Sequence, residues 1–109
     1  MKSSSKTNGR SRRVTYRHYA QILRNHKKTL SKQYKVKEIG IFGSYVRGEQ
    51  KRRSDVDILV EFSEIPGLLK FIQLEDYLAG ALNHRVDLVH KKALRSQLRE
   101  LILNEVIYV

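Results

Sequence analysis

The sequence has no cysteine and no long apolar run, and each absence excludes a class of protein. Without cysteine the chain cannot form disulfides, use a catalytic thiol or bind zinc through thiolates. No run of about 18 apolar residues is present to span a membrane. The opening segment, MKSSSKTNGRSRR, also lacks the apolar stretch of a secretory signal. We therefore expect a protein of the cytoplasm with no membrane association.

Acidic residues are scarce in the first half of the chain. Residues 1–53 contain 16 Lys and Arg but only two acids, Glu38 and Glu49, whereas residues 54–109 contain six basic and nine acidic residues. The formal net charge is +11. Such an excess of cations favours a polyanionic partner, either nucleic acid or nucleotide phosphate, and it also fits a surface that only keeps the protein soluble.

A chain of 109 residues predicts one domain with one modest core. Residues 1–13 are polar and basic and are expected to form a flexible tail, which leaves 14–109 for the folded domain. Hydrophobic periodicity predicts, in order, helix 15–33, strand 36–42, helical turn 44–48, strand 55–62, helix 68–82, strand 85–89 and helix 93–105. Because helices and strands interleave, the predicted class is α/β with a small sheet.

Two details of this pattern bear on packing. Along the strand 55–62, apolar residues alternate onto one face, namely Val56, Ile58, Val60 and Phe62. The helix 93–105 is predicted to be amphipathic through Leu94, Leu98, Leu101 and Ile102. The last four residues, 106–109, are apolar, and we expect them to dock on the core or on a partner.

A Gly-Ser pair, Gly43-Ser44, stands where the strand 36–42 opens into a helical turn. Glycine lets backbone amides approach an anion closely, and the serine hydroxyl adds a further donor. Arg47 follows within the same turn, and its guanidinium group suits bidentate contact with phosphate. Gly48 then ends the turn, as glycine commonly does. The pattern is typical of a phosphate-binding turn.

Three carboxylates are expected near that turn. Asp55 and Asp57 lie two positions apart, so both side chains leave the same face of the sheet roughly 7 Å apart along the strand. Asp87 belongs to the strand 85–89, and it reaches the same patch if that strand neighbours 55–62. Carboxylates grouped near bound phosphates are the ligands that two-metal phosphoryl or nucleotidyl transfer requires.

Each of these features has an ordinary explanation when it stands alone. A Gly-Ser pair is usually only a turn, and Asp-x-Asp is usually a solvated strand end or, with Ser54, a helix cap. The four histidines show no spacing with carboxylates that is typical of a zinc site, and we expect them to be ordinary surface or half-buried residues. Only the combination of turn, arginine and carboxylates indicates a catalytic site.

Residues 39–62 read IGIFGSYVRGEQKRRSDVDILVEF. This stretch resembles the signature of the nucleotidyltransferase superfamily that includes DNA polymerase beta, and it is most similar to the minimal nucleotidyltransferases, called MNT proteins. The later segments RVDLV and LRELILNEVIYV also resemble that family, so the resemblance covers about Tyr34 to Val109. It implies a minimal nucleotidyltransferase fold, with a small mixed β-sheet packed with helices.

The resemblance implies a role for each matching position. Gly43 and Ser44 would hold the nucleoside triphosphate, with Arg47 assisting at the phosphates. Asp55 and Asp57 would ligate two magnesium ions. Asp87 would be the third carboxylate, ligating one metal and helping to activate the acceptor hydroxyl. All three acidic positions are filled, so nothing indicates an inactive enzyme, although the three cations at 51–53 are unusual so close to the acidic motif.

MNT proteins are typically encoded beside HEPN proteins, which are small all-helical RNases, as toxin–antitoxin pairs. The resemblance therefore implies an antitoxin that transfers AMP from ATP to a tyrosine hydroxyl of a HEPN toxin. Two alternatives stay open from the residues themselves. One is an antitoxin that acts only by binding the toxin. The other is a nucleotidyltransferase acting on RNA or a small molecule, which the basic N-terminal half would suit.

Overall fold

The computed structural model describes residues 14–109, and the predicted basic tail, residues 1–13, lies outside the described residues. The helices are α1 (Tyr16–Asn25), α2 (Lys27–Tyr34), α3 (Ser44–Arg47), α4 (Leu68–Leu82) and α5 (Ser96–Glu105), with a 3₁₀ turn at Lys91–Ala93. The strands are β1 (Val36–Phe42), β2 (Val56–Phe62), β3 (Val86–His90) and β4 (Ile107–Tyr108). None of the described helices is both long and apolar enough to cross a membrane.

The four strands form one mixed sheet in the order β3-β2-β1-β4. β2 pairs antiparallel with β1 and parallel with β3, and β4 pairs antiparallel with β1. Parallel neighbours need a crossover connection, and α4 provides it between β2 and β3. The prediction of an α/β fold with a small mixed sheet is confirmed.

The two faces of the sheet are covered unequally. Helices α1, α2 and α4 cover one face, where the alternating apolar residues of β2 are buried as predicted, together with Leu23, Leu30 and Leu78 of the helices. The opposite face holds a much smaller apolar cluster, made of Phe42, Leu59 and Ile102. That thinly covered face is the one on which the acidic residues of the strands lie.

The prediction of a single helix over 15–33 is wrong, because two helices meet at His26. The backbone of His26 leaves the helical path, and its Nδ1 atom lies 2.6 Å from the hydroxyl of Tyr77 on α4. Apolar periodicity continues across the break, since both helices bury residues against the same face of the sheet. A local sequence pattern therefore does not reveal it.

The prediction for the last helix is wrong in two respects. The segment before Ser96 forms a 3₁₀ turn and two extended residues, so the helix begins three residues later than expected. Leu98 and Leu101 are not core residues either, because they are 52% and 68% exposed. Only Ile102 is buried, with Leu94 and Leu103 partly buried beside it, because α5 contacts the sheet through a narrow strip.

The apolar residues at the end of the chain dock on the core, as predicted. Tyr108 pairs with Gly40 in β1, and the amide of Val109 donates to the carbonyl oxygen of Ile39 at 3.0 Å. A Cβ atom on Gly40 would lie 2.8 Å from the carbonyl oxygen of Ile107. The absence of a side chain at residue 40 therefore permits the close approach of β4, which directly follows α5.

Candidate active site

The turn after β1 is built around Gly43. This residue has φ +80° and ψ −152°, a backbone conformation open essentially only to glycine. A Cβ atom there would overlap the carboxylate of Asp57. The carbonyl oxygen of Gly43 accepts hydrogen bonds from the amides of Val46 and Arg47, and these two bonds form the first turn of α3. Gly48, in the left-handed region, ends that helix, as predicted. Residue 43 must therefore be glycine for two reasons: other residues strongly disfavour this backbone conformation, and a side chain would clash with Asp57.

Sheet register places the predicted carboxylates side by side. Asp57 pairs with Asp87 across the parallel strands β2 and β3, and on its other side Asp57 pairs with Phe42 at the end of β1. Residues paired in register project from the same face of a sheet. The two aspartates therefore share the thinly covered face, next to the turn at Gly43.

The electrostatic environment of Asp57 is that of a crowded carboxylate. Burial, followed by the negative charges of Asp87 and Asp55, raises the pKa of the Asp57 carboxyl to about 6. The positive charge of Arg47 opposes this rise in pKa, and Glu105 contributes to it. Near neutral pH the protein therefore holds negative charge here that its own cations do not balance.

Asp55 forms an ion pair with Arg85. Its Oδ1 atom lies 3.0 Å from Nε of Arg85, and the same guanidinium group donates through Nη2 to the carbonyl oxygen of Arg53 at 2.5 Å. Asp55 and Arg85 both lie in connecting segments just before their strands and are exposed. Asp55 thus has a cationic partner within the chain.

Arg47 contacts two carboxylates rather than facing solvent alone. Its Nε donates to Glu49 at 2.9 Å, and its Nη1 donates to both carboxylate oxygens of Glu105 at 3.0 and 3.2 Å. The Oε2 atom of Glu105 also accepts the amide of Gly43 at 2.7 Å. Glu105, the last residue of α5, therefore accepts from two donors of the predicted phosphate-binding turn, the amide of Gly43 and Nη1 of Arg47.

Gly43, Arg47 and Asp57 line a cavity of about 460 Å³, together with Glu105 and apolar residues of β1 and α5. The exposed Leu98 and Leu101 form part of its wall. Ser44, the first residue of α3, is half-buried. A cavity of about 510 Å³ elsewhere, lined among others by Tyr45 and His84, contains none of the predicted site residues.

Sequence reasoning missed Glu105 and Arg85 as members of this site. One signal was available for Glu105, because it is the only charged residue in the apolar segment LILNEVIYV. A lone charge in an apolar segment needs a partner, but the partner lies 62 residues away along the chain. Arg85 showed no such signal, because an arginine before a strand is ordinary.

Within residues 14–109, no three acidic or histidine side chains are grouped as a metal site. Asp57 and Asp87 nevertheless fit a hard divalent cation by their chemistry. Both offer carboxylate oxygens, the donors that magnesium prefers. The pKa of Asp57 is raised by burial and then by the charges of Asp87 and Asp55, and a bound cation would offset that repulsion. The residues present are therefore suited to magnesium, and the ion pair of Asp55 with Arg85 engages only its Oδ1 atom.

The sequence model of a protein family, the nucleotidyltransferase domain, matches residues 23–109 of this chain. These residues include the turn at Gly43 and all three predicted carboxylates. The chain belongs to this nucleotidyltransferase family. The protein adenylyltransferase MntA of Thermococcus cleftensis is 56% identical to it over 96 residues, 88% of this chain and 97% of that protein. The predicted family and the predicted enzyme class, a nucleotidyltransferase, are confirmed.

Solved structures place this nucleotidyltransferase among minimal members of the family. One, described as a minimal nucleotidyltransferase, is 36% identical with a TM-score of 0.66, covering 81% of this chain and 93% of that one. Another contains a tri-AMPylated HEPN toxin of Shewanella oneidensis in complex with an MNT antitoxin. It matches with 25% identity and a TM-score of 0.60, over 82% of this chain and 70% of that one.

Proposed function

We propose that this nucleotidyltransferase transfers AMP from ATP to a tyrosine hydroxyl of a HEPN-family RNase toxin and thereby acts as its antitoxin. The observation that carries the proposal is the pairing of Asp57 with Asp87 in register, beside the glycine turn at Gly43. This arrangement offers carboxylates for a metal and amide and guanidinium donors for phosphate on one face. The 56% identical relative is a protein adenylyltransferase, and the HEPN toxin in the similar complex is AMPylated.

The reaction balances without further reagents. The phenolic oxygen attacks the α-phosphorus of ATP, the new phosphorus–oxygen bond forms, the bond to pyrophosphate breaks, and the phenolic proton is released. Gly43, Ser44 and Arg47 would bind the phosphates of the donor and align the α-phosphorus for in-line attack. Because the donor is ATP, the cytoplasm is the expected compartment.

The carboxylates Asp55, Asp57 and Asp87 would hold magnesium, two ions in the full proposal. The bound metal would supply charge neutralisation at the phosphates and lower the pKa of the attacking hydroxyl. Asp87 is exposed on the edge strand β3 and would help to activate the acceptor hydroxyl. Asp57 is more buried than Asp87 and would hold the metal that contacts the phosphates of ATP.

The test uses purified protein, magnesium, α-labelled ATP and a HEPN-family RNase from the same organism. We expect label to reach the HEPN protein with the mass of AMP, and to be lost with Asp57→Asn and Asp87→Asn. Asp76→Asn is the matched control, because Asp76 is an exposed aspartate on α4, the helix that covers the other face. The readouts are autoradiography for transfer and intact mass for stoichiometry.

Three outcomes would contradict the proposal in different ways. If wild type and Asp57→Asn neutralise the toxin equally well at equal binding, the chain is a binding antitoxin. If a complex forms but no label is transferred, the same conclusion holds. If neither complex nor label appears, the proposed protein acceptor is wrong, and an RNA or a small molecule is favoured as the acceptor.

One observation favours RNA as the second candidate acceptor. The described part of the basic half exposes a group of cations on α1, α2 and the residues that follow, namely Arg17, Arg24, Lys27, Lys28, Lys32, Lys35 and Lys37. Binding of RNA through its phosphates by such a surface should weaken steeply as salt increases. Transfer to a protein tyrosine need not show that dependence, so a salt series distinguishes the two acceptors.

A further inference from the structure

Glu105 occupies hydrogen-bond donors that a phosphate group would need. Gly43 has a single N–H, and it donates to Oε2 of Glu105 at 2.7 Å. Nη1 of Arg47 donates to both oxygens of the same carboxylate. A carboxylate held by a backbone amide and a guanidinium group uses the same charge-assisted contacts that hold a phosphate oxygen.

We propose that Glu105 is a nucleotide-affinity-determining residue, a carboxylate of the chain itself that competes with the nucleotide's phosphates for Gly43 and Arg47. This inference rests on the proposed function, because it assumes that these donors serve a nucleotide. A single N–H cannot make two full hydrogen bonds, so the nucleotide gains this donor only when Glu105 releases it. Because displacing Glu105 costs free energy, the apparent affinity of the turn for any anion that needs this donor is lowered.

Charge around the turn gives Glu105 a second effect. The site residues described above comprise five carboxylates, those of Glu49, Asp55, Asp57, Asp87 and Glu105, and two guanidinium groups, those of Arg47 and Arg85. A triphosphate is therefore repelled by an anionic site within a chain whose net charge is +11. Removing the charge of Glu105 lowers this repulsion as well as freeing the donors.

The position of Glu105 allows it to leave without unfolding the domain. It is the last residue of α5, and its side chain is 26% exposed in the ion pair with Arg47. The next residue, Val106, is already extended and leads into β4. A rotation of one side chain at the end of a helix is enough to open the turn.

A different role for Glu105 makes the opposite prediction. If Glu105 only positions Arg47 and the Gly43 turn for the nucleotide, its removal must weaken nucleotide binding. If it competes with the nucleotide, its removal must strengthen binding. The sign of the change in affinity therefore separates competition from positioning.

The experiment measures the dissociation constants of ATP and of inorganic triphosphate for the full-length chain by titration calorimetry. Each is measured with EDTA and with magnesium. The variants are Glu105→Gln and Glu105→Ala, and the control is Glu100→Gln, which removes an exposed charge from the same helix. We expect both Glu105 variants to bind inorganic triphosphate about fivefold or more tightly than wild type, as loss of a charge-assisted competitor implies. Glu100→Gln should bind as wild type does.

Two further readouts keep the outcomes distinct. The amide resonance of Gly43 should differ between wild type and the Glu105 variants, and in wild type it should shift when triphosphate is added, because Glu105 then releases the amide. Thermal unfolding reports whether each variant is folded. Unchanged or weaker binding by folded Glu105 variants overturns the inference, while AMP transfer by wild type leaves the proposed function standing. A folded wild type and folded variants that bind no nucleotide under any condition overturn both.

Discussion

The carboxylate of Asp57 lies where a Cβ atom on residue 43 would be, so the acidic strand and the phosphate-binding turn are neighbours only because residue 43 is glycine. The contact joins the end of β1 to the second residue of β2, and it sets the distance between the metal ligands and the phosphate donors of the proposed reaction. Four predictions follow from this and related contacts.

Gly43→Ala should abolish most AMP transfer and also destabilise the fold. The new methyl group overlaps Asp57, and alanine strongly disfavours the backbone conformation at φ +80° and ψ −152°. Strain of this kind costs about 1–3 kcal/mol. A displacement of a reacting group by about 1 Å can reduce activity about 100-fold. The measurements are urea unfolding and the labelled-ATP assay.

Gly48→Ala is the control for backbone strain without a collision. Gly48 also has positive φ, +72°, but a Cβ atom there meets nothing within 4 Å. The Gly48→Ala substitution should lower the free energy of unfolding by about 1–2 kcal/mol, and AMP transfer should be largely retained. Equal loss of transfer in the two variants would show that the contact between residue 43 and Asp57 has no part in activity.

Asp57→Asn should stabilise the metal-free protein at pH 7.5. The pKa of Asp57 is about 6 in the folded protein against 3.8 for an ordinary aspartate. As pH rises between those values, the unfolded chain loses the proton first, so the contribution of Asp57 to stability falls with rising pH. Above pH 6 the folded protein carries a negative charge on Asp57 that burial and the neighbouring carboxylates disfavour, and replacement by asparagine removes that charge.

The check is the difference in unfolding midpoint between Asp57→Asn and wild type at a series of pH values. The difference should be greatest above pH 6 and should disappear toward pH 4, where wild type is protonated. Magnesium should raise the midpoint of wild type and not that of the variant, because a ligand stabilises only the state that binds it. A variant less stable than wild type at pH 7.5 would contradict the electrostatic account.

Replacing His90 should reduce the sensitivity of the fold to acid. Among the described residues its buried Nε2 has no hydrogen-bond partner, and its ring packs edge-on against Phe62. Burial, followed by the charge of Lys92, lowers the pKa of His90, and Glu61 opposes the change. As pH falls below the ordinary range for histidine, the unfolded chain takes up a proton that the folded protein does not, so stability falls.

The comparison is urea unfolding of wild type and His90→Phe at pH 7.5 and pH 5.5. Wild type should lose more stability between these two pH values than the variant does. His18→Gln, which replaces an exposed histidine on α1, should lose as much as wild type. The prediction fails if His90→Phe and wild type lose the same amount.

Gly40→Ala should weaken the attachment of β4. Its Cβ atom would lie 2.8 Å from both the carbonyl oxygen of Ile107 and Cγ2 of Val106, and one of these contacts is with backbone. Overpacking of this kind typically costs about 1–3 kcal/mol, which chemical denaturation measures. Gly80→Ala is the control of opposite sign, because nothing lies within 4 Å of its Cβ position on α4. It should stabilise by about 0.4–1 kcal/mol, and a neutral Gly40→Ala would show that β4 is loosely held.

Local chemistry in the sequence was enough to predict most elements and the residues of the turn. Glycine followed by serine at a strand end, and alternating apolar residues in 56–62, are read from neighbours a few positions apart. The break at His26 was missed because its partner, Tyr77, is 51 residues away. The exposed Leu98 and Leu101 were missed because periodicity does not show how much of a helix the sheet covers.

Short-range patterns and a signature of 24 residues, 39–62, were enough to predict the fold class and the family and to nominate the candidate residues. Which of those residues are neighbours depended on the packed domain. Sheet register brought Asp57 beside Asp87. The packing of α5 on the sheet brought Glu105 into contact with Gly43 and Arg47. Hydrogen bonds and charge repulsion depend on separation in space, and contacts between residues far apart along the chain are fixed only when the whole core packs.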